Sequence, residues 1–468
     1  MEQVNKKPNV VFIFADEWRA QAAGYRGDPN CETPVLDALA SESIDLTEAV
    51  AGCPVCCPYR GSLMTGQYPL SHGIIINDVE LDPNSVSIAD AFNAGGYNTA
   101  YIGKWHIYGS PRGEWERREA YVPREYQMRF DYWKGFECNH DYNDSWYFFN
   151  NDPTARKWEG YDAFAQSRDA ANYIKDHAKS DKPFMLMLSW GPPHFPLHTA
   201  PEEYRARYAE YDIELRPNVP EHLKDKAKEE LRGYYAHIAA IDDALAIVLD
   251  AVKDAGIEED TIFVVTSDHG DMRQSQGLDT KLFPWDESVC VPFLLRYPKL
   301  NQREGRKLPL PISTVDIMPT FLGLCDLEIP ETVEGQDWSP VLRSEQRLTG
   351  DEAALLTMPV EFTELIKNDM HAYRGLRSAR YTYVRNIEGP WLLYDNQNDP
   401  YQKRNLIGYP DYAEVQAKLE HQLQERLDAL GDEFLESQVY LERAGLSHYK
   451  EALHVLKERT WFDPWKKA

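Results

Sequence analysis

Three apolar runs predict an α/β fold with a large, mostly parallel central sheet flanked by helices. Residues 9–15 read NVVFIFA, residues 184–190 read FMLMLSW and residues 261–266 read TIFVVT. Each is apolar throughout or nearly so, as expected of a strand buried on both faces of a parallel sheet. Each also ends in a polar cluster: Asp16-Glu17, the Gly-Pro-Pro before His194, and Ser267-Asp268-His269-Gly270. Ligand sites of open α/β sheets gather at the carboxyl ends of strands. The runs therefore read as one sheet with one active edge.

The remaining elements follow in order. Residues 111–165 are rich in Trp, Tyr, Asn and Asp, with weak periodicity. They are expected to form a long excursion over the active edge, where loops carry specificity. Residues 227–255 carry helical apolar spacing through Tyr234, Ile238, Ile241, Leu245, Ile247 and Val248. The texture changes near residue 350, which suggests a catalytic domain over 1–350 and a small C-terminal α+β subdomain over 351–468. In the latter, RSARYTYVRN (377–386) and WLLYD (391–395) read as antiparallel strands. A charged amphipathic helix is expected over 411–430, then a helical tail ending in Trp461, Phe462 and Trp465. No internal repeat is present.

Composition narrows the function. The chain has 468 residues, 43% hydrophobic, and a formal net charge of −26. It folds around a large core, and its acidity makes nucleic acid and anionic membranes poor partners. A small anionic substrate remains compatible, because local cations dominate a cleft over a Debye length of about 8 Å. The odd count of seven cysteines argues against a disulfide scaffold. Cys53 and Cys56 are spaced C-x-x-C, but no second Cys/His pair follows at finger spacing, which argues against structural zinc. No apolar stretch reaches the length of a membrane span. As written, the chain reads as cytoplasmic, or as periplasmic or secreted if a leader has been removed. Oligomeric state is not legible.

The most specific segment is 53–66, CPVCCPYRGSLMTG, which contains C-x-P-x-R at Cys56, Pro58 and Arg60. Residues 96–106, GYNTAYIGKWH, end in G-K-W-H. TPVLDAL (33–39), KLFPWDES (281–288), VDIMPT (315–320) and YDNQNDP (394–400) follow as further landmarks. Together these segments resemble the formylglycine-dependent sulfatases, type I sulfatases of the alkaline-phosphatase-like superfamily. The resemblance implies that Cys56 is oxidised by a formylglycine-generating maturation enzyme to an aldehyde, whose hydrate is the nucleophile. Tyr59 departs from the Ser or Ala more common at that position.

The residue types fit that chemistry. Asp16 and Asp268 end two of the expected strands, and a hard divalent cation prefers carboxylate oxygens. Taken singly, each Asp reads first as a helix N-cap, and it is the two matched strand ends that reverse this. By resemblance, Asp16, Glu17, Cys56, Asp268 and His269 are the metal-ligand candidates. Many relatives carry Asp-Asp and Asp-Asn where this chain has Asp-Glu and Asp-His. The implied metal is Ca2+, with Mn2+ favoured by a histidine nitrogen. Arg60, one helical turn after Cys56, neutralises the nucleophile's oxyanion. Lys104 and His106, two apart, would project to one face of an extended segment. His106 is the implied base that releases covalent sulfate, His194 the implied acid for the leaving alcohol, and Lys281 a sulfate ligand. Asn77, His140 and His198 are candidate substrate contacts.

The reading is therefore a sulfatase, expected to act on a carbohydrate sulfate because the aromatic loop 139–149 suits a sugar ring. The alternatives are a phosphonate or phosphate mono- or diester hydrolase with the same nucleophile, and an inactive homologue that binds sulfated glycan. The last would predict loss of Cys56, Arg60 or Lys281, and all three are present.

Overall fold

A computed structural model of the chain describes residues 7–449 and Ala452. Its strands are β1 (Asn9–Asp16), β2 (Ile44–Leu46), β3 (Asn98–Lys104), β4 (Tyr132–Phe136), β5 (Trp146–Phe149), β6 (Asp152–Lys157), β7 (Phe184–Pro193), β8 (Thr261–Ser267), β9 (Phe293–Arg296), β10 (Arg306–Leu308), β11 (Ala353–Met358), β12 (Tyr373–Ser378), β13 (Tyr381–Asn386) and β14 (Gly389–Asp395). The first ten form one sheet in the order β10-β2-β9-β8-β1-β7-β3-β4-β5-β6. Its centre, β8-β1-β7-β3-β4, is parallel. Antiparallel pairing is confined to β9 and to the β4-β5-β6 edge.

The three apolar runs are β1, β7 and β8, side by side. Successive residues along each strand enter opposite cores. Val10, Phe12 and Phe14 join one hydrophobic cluster with Met185, Met187, Ile262 and Val264. Val11, Ile13 and Ala15 join the other with Leu186, Leu188, Phe263 and Val265. The period-2 alternation of a strand thus faces apolar layers on both sides, which is why the runs show no polar alternation. Truncating one such residue, for example Leu186→Ala, would cost about 2–5 kcal/mol. The long helix Lys224–Asp254 covers the second face through Leu231, Tyr234, Ile238, Ile241, Leu245 and Val248.

The segment 111–165 is less irregular than its composition suggests. Residues 132–157 supply β4, β5 and β6, which extend the main sheet. β6 (DPTARK) is almost wholly exposed, so no apolar pattern marks it. The run 377–386 breaks at Ala379-Arg380: its first two residues end β12, and β13 carries the rest.

β11 to β14 form a separate antiparallel sheet. Leu356, Met358, Tyr373 and Val384 pack into the first core. Leu376, Tyr383 and Leu393 pack against Leu419, Leu423 and Leu427 of the helix Ala413–Leu430. Arg377 pins this sheet to the main body through Asp286 (2.9 Å) and Glu48 (3.0 Å). Beyond residue 430 a short helix spans Ser437–Arg443. Trp461, Phe462 and Trp465 lie outside the described residues. All seven cysteines are free and buried. Among the described residues, no helix is long and apolar enough to cross a membrane.

Candidate active site

The C-x-P-x-R signature opens a buried helix, Cys56–Thr65. Its preceding residue, Val55, is extended and offers no side-chain cap. Asn77 supplies one from a distance, accepting the Cys57 N–H at 3.1 Å. Pro58 lies in the first turn, where a missing N–H costs nothing. Gly66 ends the helix at φ 68°, its N–H bonded to Ser62 O. Asn77 therefore orients Cys56 through the helix end it caps.

Four donors converge at the head of this helix. Cys56 Sγ lies 3.3 Å from His269 Nε2 and 3.5 Å from Asp16 Oδ1. His269 Nε2 is 3.6 Å from Asp16 Oδ1 and 3.5 Å from Asp268 Oδ1. All donor atoms of Asp16, Cys56, Asp268 and His269 lie within 4.8 Å of one another, and all four residues are buried. Two carboxylates and an imidazole at that spacing fit a hard divalent cation at donor distances of about 2.0–2.6 Å. His269 Nδ1 faces Gly270 O at 3.0 Å, a carbonyl that only accepts, so the proton sits on Nδ1 and Nε2 is free to ligate.

Two buried cations brace the carboxylates. Arg60 Nη2 lies 3.3 Å from both Asp16 Oδ2 and Asp268 Oδ2. Its Nη1 donates to Lys104 O (2.7 Å) and Ser189 Oγ (2.8 Å). Lys104, the last residue of β3, places Nζ 2.5 Å from Asp16 Oδ2. Burial opposes the charge on Lys104, but the Asp16 carboxylate outweighs it and holds the ammonium above its ordinary range. Burial also opposes charge on Asp16; Lys104, then His194 and Arg60, reverse that and keep it well below the usual carboxylate range.

A second group lies on the β7 side. His194 follows β7 and puts Nε2 3.2 Å from Glu17 Oε2. Lys281 Nζ is 3.5 Å from Glu17 Oε1. His140 stacks on His194, ring centroids 4.4 Å apart and 7° from parallel. Tyr142 donates to His194 O at 2.9 Å and steadies this turn. Burial pushes Glu17 well above the ordinary carboxylate range; burial, then Lys281 and His140, push His194 well below the ordinary histidine. Glu17 is thus absent from the four-donor group containing Cys56, and shares a second group with Asp16 and His194.

His106 does not continue the strand. β3 ends at Lys104, and His106 takes φ 57°, so the two do not share a strand face. Its Nε2 lies 3.8 Å from Asp78 Oδ1, and Arg118 clamps Asp78 through Nε (2.8 Å) and Nη2 (2.5 Å). Burial, then Lys104, pushes the His106 imidazole down to about 3. His198 is exposed on the turn Leu197–Thr199 and belongs to neither donor group. Asp78, Arg118, Glu137, Tyr142 and Ser189 carry no local sequence signal for their roles; only the fold assembles them.

Comparison with known proteins gives the family. Residues 8–327 match the Sulfatase family, and residues 275–429 match the N-sulphoglucosamine sulphohydrolase C-terminal family. An ulvan-active sulfatase of Formosa agariphila is 42% identical over 439 residues, covering 93% of this chain and 84% of that protein. An endo-4-O-sulfatase of Bacteroides thetaiotaomicron is 31% identical over 451 residues, covering 85% and 88%. A crystal structure of a Bacteroides fragilis protein assigned as a sulfatase superposes with a TM-score of 0.82 at 29% identity, covering 94% of this chain and 99% of that one. With the Sulfatase match spanning the sheet, the signature helix and every residue of the four-donor group, the chain belongs to the type I sulfatases of the alkaline-phosphatase-like superfamily, and is a sulfuric ester hydrolase.

Proposed function

We propose that the enzyme hydrolyses a sulfate ester on a carbohydrate, using an aldehyde hydrate made from Cys56 beside a divalent cation held by Asp16, Asp268, His269 and the modified residue 56. The observation that carries this reading is the convergence of Cys56, within its signature, on two carboxylates and an imidazole. Two relatives support a glycan substrate by their names, one ulvan-active and one an endo-4-O-sulfatase. Calcium suits the carboxylates, and the His269 nitrogen makes manganese the second choice.

A cation held there would supply Lewis-acid chemistry, favouring ionisation of the nucleophile and offsetting charge on the sulfate. The chain does the rest. Asn77 and the signature helix aim residue 56. Arg60, fixed to both carboxylates, neutralises the attacking oxygen's charge. Lys104 and Lys281 hold sulfate oxygens. His194 delivers a proton to the departing alcohol oxygen, and His106, steadied by Asp78, takes a proton in the second step. Burial of Asp16, Asp268, Arg60 and Lys104 keeps bulk water away, which strengthens each charge interaction. His140, stacked on His194, stands where a sugar ring would meet the acid.

The test is an activity panel on protein co-expressed with a formylglycine-generating enzyme. The panel comprises sulfated oligosaccharides, 4-nitrophenyl sulfate, 4-nitrophenyl phosphate and a phosphonate monoester. Sulfate release from at least one oligosaccharide, with kcat/KM above that for the phosphorus esters, is expected. Faster turnover of the phosphonate monoester than of every sulfate would overturn the substrate assignment.

A further inference from the structure

His106 is not held by its own ring. Both ring nitrogens are buried, and neither has a hydrogen-bond partner among the described residues. Asp78 Oδ1, at 3.8 Å, is beyond hydrogen-bond reach. The place of the imidazole is therefore set by the backbone around it. The main body fixes the near end of that loop: Glu137 O accepts the His106 N–H, Ile107 O accepts the Leu81 N–H, and Asp78 O accepts the Ser110 N–H. Arg117 and Arg118 return the chain to Glu80 and Asp78.

Between these anchors the loop projects outward. Pro111, Arg112 and Glu114 are exposed, yet Gly113 is buried. The C-terminal segment covers it. After the helix Ser437–Arg443, Leu446 and Tyr449 join the first hydrophobic core, which also holds Ile107 and Tyr108. His448 Nε2 lies 2.7 Å from Pro111 O. Gly113 takes φ 68°, and a Cβ there would come within 2.5 Å of Tyr449 Cα. Backbone packs on backbone, with no room for a side chain. The Tyr449 hydroxyl stands near Glu116, Glu80 and Asp78; burial, then these carboxylates, pushes it up to about 12. At its other end the segment is tied to the small sheet. Tyr440 donates to Asp432 Oδ1 at 2.6 Å, and Asp432 pairs with Arg374 of β12.

We infer that Tyr449 is a positioning residue for His106: the C-terminal segment straps the 106–118 loop to the main body and so sets where the imidazole stands. This rests on His106 acting in the second step. The first step draws on Cys56, Arg60, Asp16 and Asp268, which β1, β8 and the signature helix hold. Slackening the loop should spare that step and slow the next.

The experiment uses full-length, aldehyde-bearing protein carrying Tyr449→Ala, Tyr449→Phe, Gly113→Ala, His106→Ala or the Tyr449→Ala/His106→Ala pair. The probe is 4-nitrophenyl sulfate, whose phenolate departs readily, followed through the first turnover and into steady state. Tyr449→Ala should keep the wild-type first turnover and slow later ones about tenfold or more, since misplacing a catalytic group by about 1 Å costs up to about a hundredfold. A burst of about one nitrophenol per active site should then appear. Gly113→Ala presses on the same contact from the loop side and should do the same with the C-terminal segment intact. Tyr449→Phe keeps the ring and should restore wild-type kinetics. In the His106→Ala background, Tyr449→Ala should add nothing. Equal slowing of first and later turnovers in Tyr449→Ala and Gly113→Ala, beside a burst in His106→Ala, would make the segment a general support and overturn the inference. Wild-type kinetics in both would also overturn it. Should Tyr449→Ala fail to fold, Gly113→Ala decides alone. If His106→Ala itself shows no burst, the base assignment falls first and takes the inference with it.

Discussion

Replacing Glu137 by glutamine probes how the turn carrying His106 is held. Glu137 is 1% exposed. Its backbone carbonyl accepts the His106 N–H at 2.9 Å. Its Oε1 accepts the N–H groups of Tyr108 (3.0 Å) and Gly109 (2.9 Å). Burial pushes this carboxyl from an ordinary 4.5 up to about 7, against the two N–H donors. Below pH 4.5 the group is neutral in both states and costs nothing. From pH 4.5 to 7 the unfolded chain releases the proton while the folded one keeps it, so stability falls as pH rises. Above pH 7 the loss is complete, about 3 kcal/mol at 1.36 kcal/mol per pH unit. Glutamine cannot ionise and escapes this loss, but its amide offers one acceptor fewer, a cost of about 1 kcal/mol. Glu137→Gln should therefore be about 1 kcal/mol less stable than wild type at pH 4.5 and about 2 kcal/mol more stable at pH 8. Urea titrations at matched metal concentration measure both. A difference between the two proteins that stays constant from pH 4.5 to 8 would refute a burial-raised carboxyl at this position.

Three further outcomes are expected. Intact mass of protein co-expressed with a formylglycine-generating enzyme should fall by about 18 Da at residue 56 alone; the same change at Cys57 would shift the register of the site, and Cys56→Ala should bind substrate without turnover. Asp268→Asn removes a donor charge and the partner of Arg60 at 3.3 Å, so metal content and kcat should fall together, kcat by several orders of magnitude; full activity in chelated enzyme would remove the metal from the mechanism. His106→Ala should release a burst of about one alcohol per active site and then slow, whatever the leaving group; a linear time course would move the second-step proton transfer to another residue.

How much was legible follows from what each residue answers to. β1, β7 and β8 could be read because burial on both faces demands apolar residues at every position. The edge strand β6 answers only to backbone pairing with β5, and its sequence is polar. Asp16, Cys56, Arg60, Lys104, His194, Asp268, His269 and Lys281 sit in short signatures or at strand ends, and the fold brings them to one edge. The turns at Glu17 and His106 were hidden, because left-handed backbone at a non-glycine residue leaves no mark in composition. His198, four positions after His194, would share its face only in a helix. Only Leu197–Thr199 is helical, a single 3-10 turn that starts beyond His194, and His198 is exposed. Asp78 and Glu137 are separated from His106 by tens of residues, and only the pairing of β3 with β4 and the loop from Asn77 unite them.

The strand order divides the chemistry. β8 brings Asp268 and His269, β7 brings His194, and β1 lies between them. Asp268 and His269 thus approach from one flank of β1 and His194 from the other, while Asp16, on β1 itself, has donor atoms within 4.8 Å of both groups. Two flanks suit the proposed in-line displacement, since the attacking and departing oxygens lie on opposite sides of sulfur. β1 supplies both flanks from consecutive residues, and an ordinary extended strand also sends consecutive side chains to opposite faces of the sheet. Here both carboxylates must stay at the strand end, one directed along the sheet toward β8 and the other toward β7. The left-handed turn at Glu17 achieves that. The Glu17 carboxylate reaches His194 and Lys281, while His269 places a nitrogen beside Asp16 and Asp268.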